Sequence, residues 1–319
     1  MEKTVVFAGR LKNRTELLES SSGGAFVALS EVFLNNGDAV IAPIYDYVTH
    51  TNKFRLIQNK EQRNKARGSK YMQSVMGTIF IDAMQWLHSN PEKKLLFFGV
   101  GCQADSFRKF AEMKGFRNRV TIVDIICHGS PSPKLWREYA AYLEKKHGGN
   151  IEFLTFKDKR DGWIRPTAYA RIKGKEIFLK NYVGMFYSKC ALRPSCHTCK
   201  YATIGRKSDI TIGDFWHIED TIPDFYDEKG TSLFLIHTNE GLHLFDCAKE
   251  MMEIRESNTK QCWQTNLDKP TEASPKRERF WRDYSRKGAK YVVDKYGPDP
   301  LWLRAKNKIM NKLKIFVRC

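Results

Sequence analysis

Five of the eight cysteines in this chain fall where a metal or cluster site would want them. Three lie in one short run, Cys190-Ala-Leu-Arg-Pro-Ser-Cys196-His-Thr-Cys199, and Cys102 and Cys127 each follow an apolar, strand-like stretch. Thiolates two residues apart can grip one centre without straining the backbone, so the fold has to bring distant segments together around them. The pair Cys196-x-x-Cys199 alone serves zinc ribbons, redox pairs and iron–sulfur sites alike. Cys190 adds a third thiolate, and the fourth has to come from Cys127 or Cys102, both at strand ends. Cys247, Cys262 and Cys319 read as ordinary thiols. Zinc and an iron–sulfur cluster both accept four thiolates, and His197 offers zinc a nitrogen, so spacing alone puts zinc slightly ahead.

The rest of the composition narrows the setting. With 319 residues, 42% of them hydrophobic and 13% aromatic, the chain can bury a substantial core. Its first residues lack the pattern of a secretory signal, and no run approaches the roughly 20 apolar residues of a membrane span. The expected compartment is the cytosol, where thiols stay reduced and favour metal or redox use over disulfides. The net charge is +18, and residues 276–319 carry 14 Lys/Arg against 4 Asp/Glu. Residues 301–318 read as a basic amphipathic helix, with Trp302, Ile309, Leu313 and Phe316 on one face. Such a helix either contacts an anionic membrane surface from the cytoplasmic side or docks on the protein's own core. The stretch Phe280-Trp-Arg-Asp-Tyr mixes bases with aromatics, but no nucleic-acid motif accompanies it, so nucleic acid is not an expected partner.

Periodicity predicts an α/β fold: a mixed sheet flanked by helices, a cysteine-bearing β-rich middle region and a helical basic tail. The expected division is 1–150 as an α/β half bearing the small-residue turns, 151–255 as a β-rich region bearing the cysteine run, and 256–319 as linker and tail. Residues 71–89 have helical spacing, and 256–275 read as an irregular linker. Two small-residue turns each open a helix, Ser21-Ser-Gly-Gly-Ala and Gly99-Val-Gly-Cys-Gln103. Such turns let backbone N–H groups approach a phosphate. The second meets only the relaxed dinucleotide fingerprint, with Ala104 in the third position.

In order along the chain, these motifs resemble the coenzyme F420 hydrogenase/dehydrogenase beta-subunit family. They are Ser20-Ser-Ser-Gly-Gly-Ala-Phe, Arg67-Gly-Ser-Lys-Tyr, Gly99-Val-Gly-Cys-Gln, Val123-Asp-Ile-Ile-Cys-His-Gly-Ser, Lys157-Asp-Lys-Arg-Asp-Gly-Trp, the cysteine run, and Ser208-Asp-Ile-Thr-Ile-Gly-Asp-Phe-Trp. The resemblance implies a flavin, FAD first among them, beside a [4Fe–4S] cluster, and so moves the metal from zinc to iron. In that family a flavin exchanges a hydride with a two-electron donor and single electrons with the cluster. Carried over motif by motif, Cys190, Cys196 and Cys199 become cluster ligands, with Cys127 first and Cys102 second for the fourth place. Ser22, Gly23 and Gly24 become flavin contacts, and Ser69, Lys70, Tyr71, Asp209, Gly213 and Asp214 line the same pocket. A partner subunit or ferredoxin is implied for electron transfer. The chain shows no cysteine before Cys102, so the further ferredoxin-like relay of many relatives is not expected in it. Similar bacterial chains accompany exopolysaccharide or capsule synthesis in organisms without the deazaflavin coenzyme. The expected function is therefore a flavin- and iron–sulfur-dependent oxidoreductase serving that synthesis. The alternative is a zinc-stabilised transferase or binding protein for an anionic ligand.

Overall fold

A computed structural model describes residues 4–298 of the chain. The expected amphipathic helix over 301–318, and Cys319, lie outside the described residues. The strands are β1 (Val5–Leu11), β2 (Ala39–Asp46), β3 (Thr51–Ile57), β4 (Ser74–Val75), β5 (Leu95–Val100), β6 (Val120–Ile125), β7 (Ile151–Asp158), β8 (Thr167–Ile172), β9 (Lys175–Phe178), β10 (Ile210–Asp214), β11 (Ser232–Ile236) and β12 (Met252–Ser257). Nine of them form one mixed sheet in the order β12-β1-β11-β10-β6-β5-β2-β3-β4, and β7-β8-β9 form a separate antiparallel meander. The centre of the large sheet is parallel, through the pairs β10–β6, β6–β5 and β5–β2.

Those central strands are parallel because they can be buried on both faces. Leu95, Leu96, Phe97 and Phe98 are each at most 1% exposed. Their side chains alternate between two cores, as a pleat requires. Leu96 and Phe98 face the core that also takes Val27, Leu29 and Phe33 of helix Ala25–Asn35 and Leu244 of helix Asn239–Ala248. Leu95 and Phe97 face the core shared with helices Ile79–Ser89 and Gly101–Met113. Each such side chain contributes roughly 1.5–3 kcal/mol through burial. A third core joins β7, β8 and helices Pro133–His147, Lys180–Tyr187 and Arg277–Tyr296 around Trp136, Tyr182 and Phe280. Trp136 Nε1 donates to Tyr45 Oη at 2.9 Å, which ties this layer to β2. No helix among the described residues is long and apolar enough to cross a membrane.

The mixed sheet flanked by helices agrees with the sequence expectation. The boundaries at 150 and 255 do not follow the sheets. The large sheet takes β1–β6 from the first part and β10, β11 and most of β12 from the second, while helix Arg277–Tyr296 packs back on the layer between them. The expected helix over 71–89 starts only at Ile79. Upstream of it, Ser74 and Val75 pair with β3, and Gly77 adopts a φ of 55° that a helix cannot continue through. The expected linker begins inside β12, an edge strand on β1.

Candidate metal and cofactor site

In parallel sheets, ligands bind beyond the carboxyl ends of the strands. A cavity of 580 Å³ opens there, walled by Ala42 and Pro43 of β2, Phe98 to Val100 of β5, Ile125 of β6 and Ile212 to Asp214 of β10. Cys102 lies in the first turn of the helix that follows β5, and Cys127 lies two residues past the end of β6. Adjacent parallel strands therefore deliver two thiols side by side.

Three ties bring the cysteine run onto them. Pro131 forms a bridge with Leu192, and Arg193 N–H donates to Ser130 O at 3.1 Å, so the loop after β6 lies along the run. Gly129 permits that approach: its φ is 117°, and a Cβ there would stand 2.7 Å from Leu192 Cδ1 and 3.3 Å from Cys196 Cβ. Tyr201 Oη donates to Asp105 Oδ2 at 2.9 Å, which holds the end of the run against the helix that carries Cys102. Finally, the buried pair Arg206–Asp124, 2.9 Å apart, fastens the following loop to β6.

Cys102, Cys127, Cys196 and Cys199 thereby line one cavity. Burial pushes the Cys127 thiol up to about 12, the neighbouring thiols of Cys196, Cys102 and Cys199 push the same way, and the Gly129 N–H opposes them. Desolvation, then Cys199 and Cys196, raise the Cys102 thiol as well. Cys127 and Cys102, so disfavoured as thiolates, would be held ionised by a bound cation. These four are the set that could hold a metal centre. Cys190, expected to join Cys196 and Cys199, does not join them. It is 0% exposed in the core around Tyr182, Met185 and Phe280, with its Sγ directed at Ser188 O 3.6 Å away. His197, the candidate nitrogen, has Nδ1 2.9 Å from the carbonyl of Thr271, which can only accept.

The serine loop lines the same cavity. Ser20 to Ser22 and Gly24 face the cavity immediately before helix Ala25–Asn35, whose N-terminus has no side-chain cap. Ser21 Oγ accepts from Ser69 N–H at 2.7 Å and so clasps the 67–71 loop to this turn. Lys159, 5% exposed, donates to Ser22 O at 2.8 Å and also to the carbonyls of Leu17 and Lys229. Lys70 Nζ donates to the carbonyls of Ala66, Arg67 and Gly68, and burial lowers its pKa to about 7. The Tyr71 ring stacks on Phe186 at 4.5 Å. Asp214 accepts from Lys157 Nζ at 2.6 Å and from Trp163 Nε1 at 3.1 Å, beside Trp216, which stacks on Trp163.

Ser22, Gly24, Ser69, Lys70, Tyr71, Gly213 and Asp214 all line the cavity, whereas Gly23 and Asp209 do not. A Cβ on Gly23 would stand 2.2 Å from Gly9 O and 2.4 Å from Ser232 N, so this glycine serves close packing of the turn on the sheet. Asp209 precedes β10 at its amino end, roughly 10 Å of strand before Ile212, where β10 reaches the cavity. Its carboxylate is consumed by Ile122 N–H, Arg117 and Thr238, each at 2.8 Å. Sequence reasoning missed Gln264, Asn266 and Thr271, which line the cavity from the supposed linker. It also assigned no role to Arg206, Asp124 or Lys157, although Lys157 and Asp124 stand in motifs that it singled out.

Grouped thiols and an uncapped helix N-terminus on the wall of one cavity mark a sulfur-rich α/β protein. The chain belongs to the coenzyme F420 hydrogenase/dehydrogenase beta-subunit family: the family model for the carboxyl-terminal region of the "Coenzyme F420 hydrogenase/dehydrogenase, beta subunit" matches residues 92–261, just over half of the chain. That membership carries an oxidoreductase-related role. Among solved structures, the chain is similar to one from the F420-reducing [NiFe] hydrogenase complex from Methanosarcina barkeri, in a xenon-derivatised form. The TM-score is 0.54 and the identity 20%, over 92% of this chain and 89% of that chain, a likeness of fold. No curated protein matches.

Proposed function

We propose that this chain is a flavin- and iron–sulfur-dependent oxidoreductase, with a [4Fe–4S] cluster on Cys102, Cys127, Cys196 and Cys199 and FAD in the adjoining cavity. The observation that carries the reading is the convergence of four thiols, from three separate segments, on the wall of one cavity. Four soft thiolates suit zinc and an iron–sulfur cluster alike, and the resemblance drawn from the sequence selects iron.

The flavin fits the other wall. A volume of 580 Å³ lies within the usual range of roughly 300–1,000 Å³ for ligand sites. The N-terminus of helix Ala25–Asn35, which has no side-chain cap, and the Lys70 charge suit a pyrophosphate. Lys157, held by Asp214 and lying 5.3 Å over Trp216, is the fixed charge that would orient a polar ring edge. When bound, a flavin supplies two-electron hydride chemistry and the cluster single-electron exchange. On the resemblance drawn from the sequence, the redox step serves exopolysaccharide or capsule synthesis at the cytoplasmic face of the membrane, and electrons pass through a partner subunit or ferredoxin.

Anaerobic purification with iron, sulfide and flavin quantified tests the proposal. The expected sample is brown, with roughly four irons and one flavin per chain. A colourless sample with stoichiometric zinc would overturn it.

A further inference from the structure

We infer that a second, smaller cavity binds a monosaccharide phosphate, an inference that does not depend on what the larger cavity holds. The second cavity measures 230 Å³, below the roughly 300–1,000 Å³ usual for cofactor-sized ligands. Tyr201 stands between the two cavities. Its Oη donates to Asp105 Oδ2 at 2.9 Å, and its Cβ lies so near Gly101 that a Cβ added there would stand 2.8 Å away. Asp124 belongs to the smaller cavity alone and is 2% exposed. Its Oδ2 accepts from Arg206 at 2.9 Å, but its Oδ1 is buried without a partner. A buried carboxylate oxygen needs a donor. One water takes only about 30 Å³, so the space admits a much larger molecule.

The surrounding charge selects the donor. Lys109, Lys200, Arg206 and Lys207 line this cavity against Asp105 and Asp124. Arg206 is engaged by Asp124, and Lys109 lies 3.5 Å from Asp105. Lys200 and Lys207 are exposed and enter no ion pair among the described residues. A cationic ligand would meet this positive field, so the group that reaches Asp124 is a neutral hydroxyl. Two unmatched ammonium groups call for a dianion, and a phosphate monoester approaches that charge at pH 7 where a single carboxylate does not. A ligand that carries hydroxyls at one end and a phosphate at the other answers both demands. The volume holds it to the size of one sugar ring.

The test is calorimetry on the protein as purified, with its cofactors, titrated with glucose 1-phosphate, glucose 6-phosphate, inorganic phosphate and glucose. At least one sugar phosphate should bind roughly tenfold more tightly than inorganic phosphate, and glucose should bind more weakly than the sugar phosphate. The double variant Lys109→Gln, Lys207→Gln changes side chains that line the smaller cavity and not the larger. It should bind the sugar phosphate roughly tenfold more weakly, with iron and flavin contents unchanged. Equal affinity for inorganic phosphate and both sugar phosphates would reduce the site to a patch of charge and overturn the inference. So would a double variant within about twofold of the parent, which would move the binding elsewhere. Dissociation constants above about 10 mM for both sugar phosphates would overturn it as well.

Discussion

The two ends of the parallel strands use similar residues to opposite ends. At the amino end, polar groups are saturated. Asp209 accepts three hydrogen bonds, and Arg119 donates to the carbonyls of Leu87, Asn90 and Lys93. At the carboxyl end, groups are left with capacity to spare. Asp124 Oδ1 and His197 Nε2 are buried without partners, and four thiols face one cavity. An unsatisfied buried polar atom costs on the order of 1–3 kcal/mol, so a fold keeps several together where something else will satisfy them. Saturation marks structure here, and spare capacity marks the site.

The sharpest way to break this contrast is at the thiols. Cys196→Ser or Cys199→Ser should empty the protein of iron, whereas Cys190→Ser should keep its iron and lose only about 1–3 kcal/mol by placing a hydroxyl in an apolar core. Iron analysis and urea unfolding read both, and iron loss in the Cys190 variant would return that residue to the ligand set. Next come the two aspartates of the β10 motif. Asp209→Asn should cost about 2–3 kcal/mol of stability and leave flavin affinity unchanged, because it strips charge from the Arg117 pair. Asp214→Asn should shift the flavin dissociation constant about tenfold, since it frees the Lys157 charge inside the cavity. Equal effects from the two would erase the distinction between strand ends. The smallest effect concerns Lys70. Its folded pKa of about 7 lies below the ordinary lysine value, so the ammonium is present below pH 7 and fades as pH rises through it. Flavin binding by the apoprotein should therefore weaken above about pH 7, and Lys70→Met should flatten that dependence while lowering affinity below it. A pH profile identical in parent and variant would remove Lys70 from the site.

Much of this was legible in the sequence because it obeys local rules. The apolar runs of β5 and β6, Ser132 capping helix Pro133–His147, and the Ser-Gly-Gly turn before helix Ala25–Asn35 each declare themselves within a few residues. What stayed hidden depends on register and distance. Spacing nominated Cys190 with Cys196 and Cys199, but the chain turns at the Pro131–Leu192 bridge, and the bridge decides that Cys190 faces the core. The choice between Cys102 and Cys127 was posed as exclusive because no pattern reveals that β5 and β6 are neighbours in parallel register. Gln264 to Thr271 carry no periodicity at all, and their place in the cavity wall is set wholly by long-range contacts, such as Thr271 Oγ1 donating to His128 O at 2.7 Å.

Arg277 opens helix Arg277–Tyr296, and its guanidinium donates to the carbonyls of Cys190 and Leu192. That one side chain makes the helix a splint for the cysteine run. Anyone shortening this protein for expression should therefore not cut before 277: the product would leave two carbonyls dangling and let the thiol-bearing segment swing.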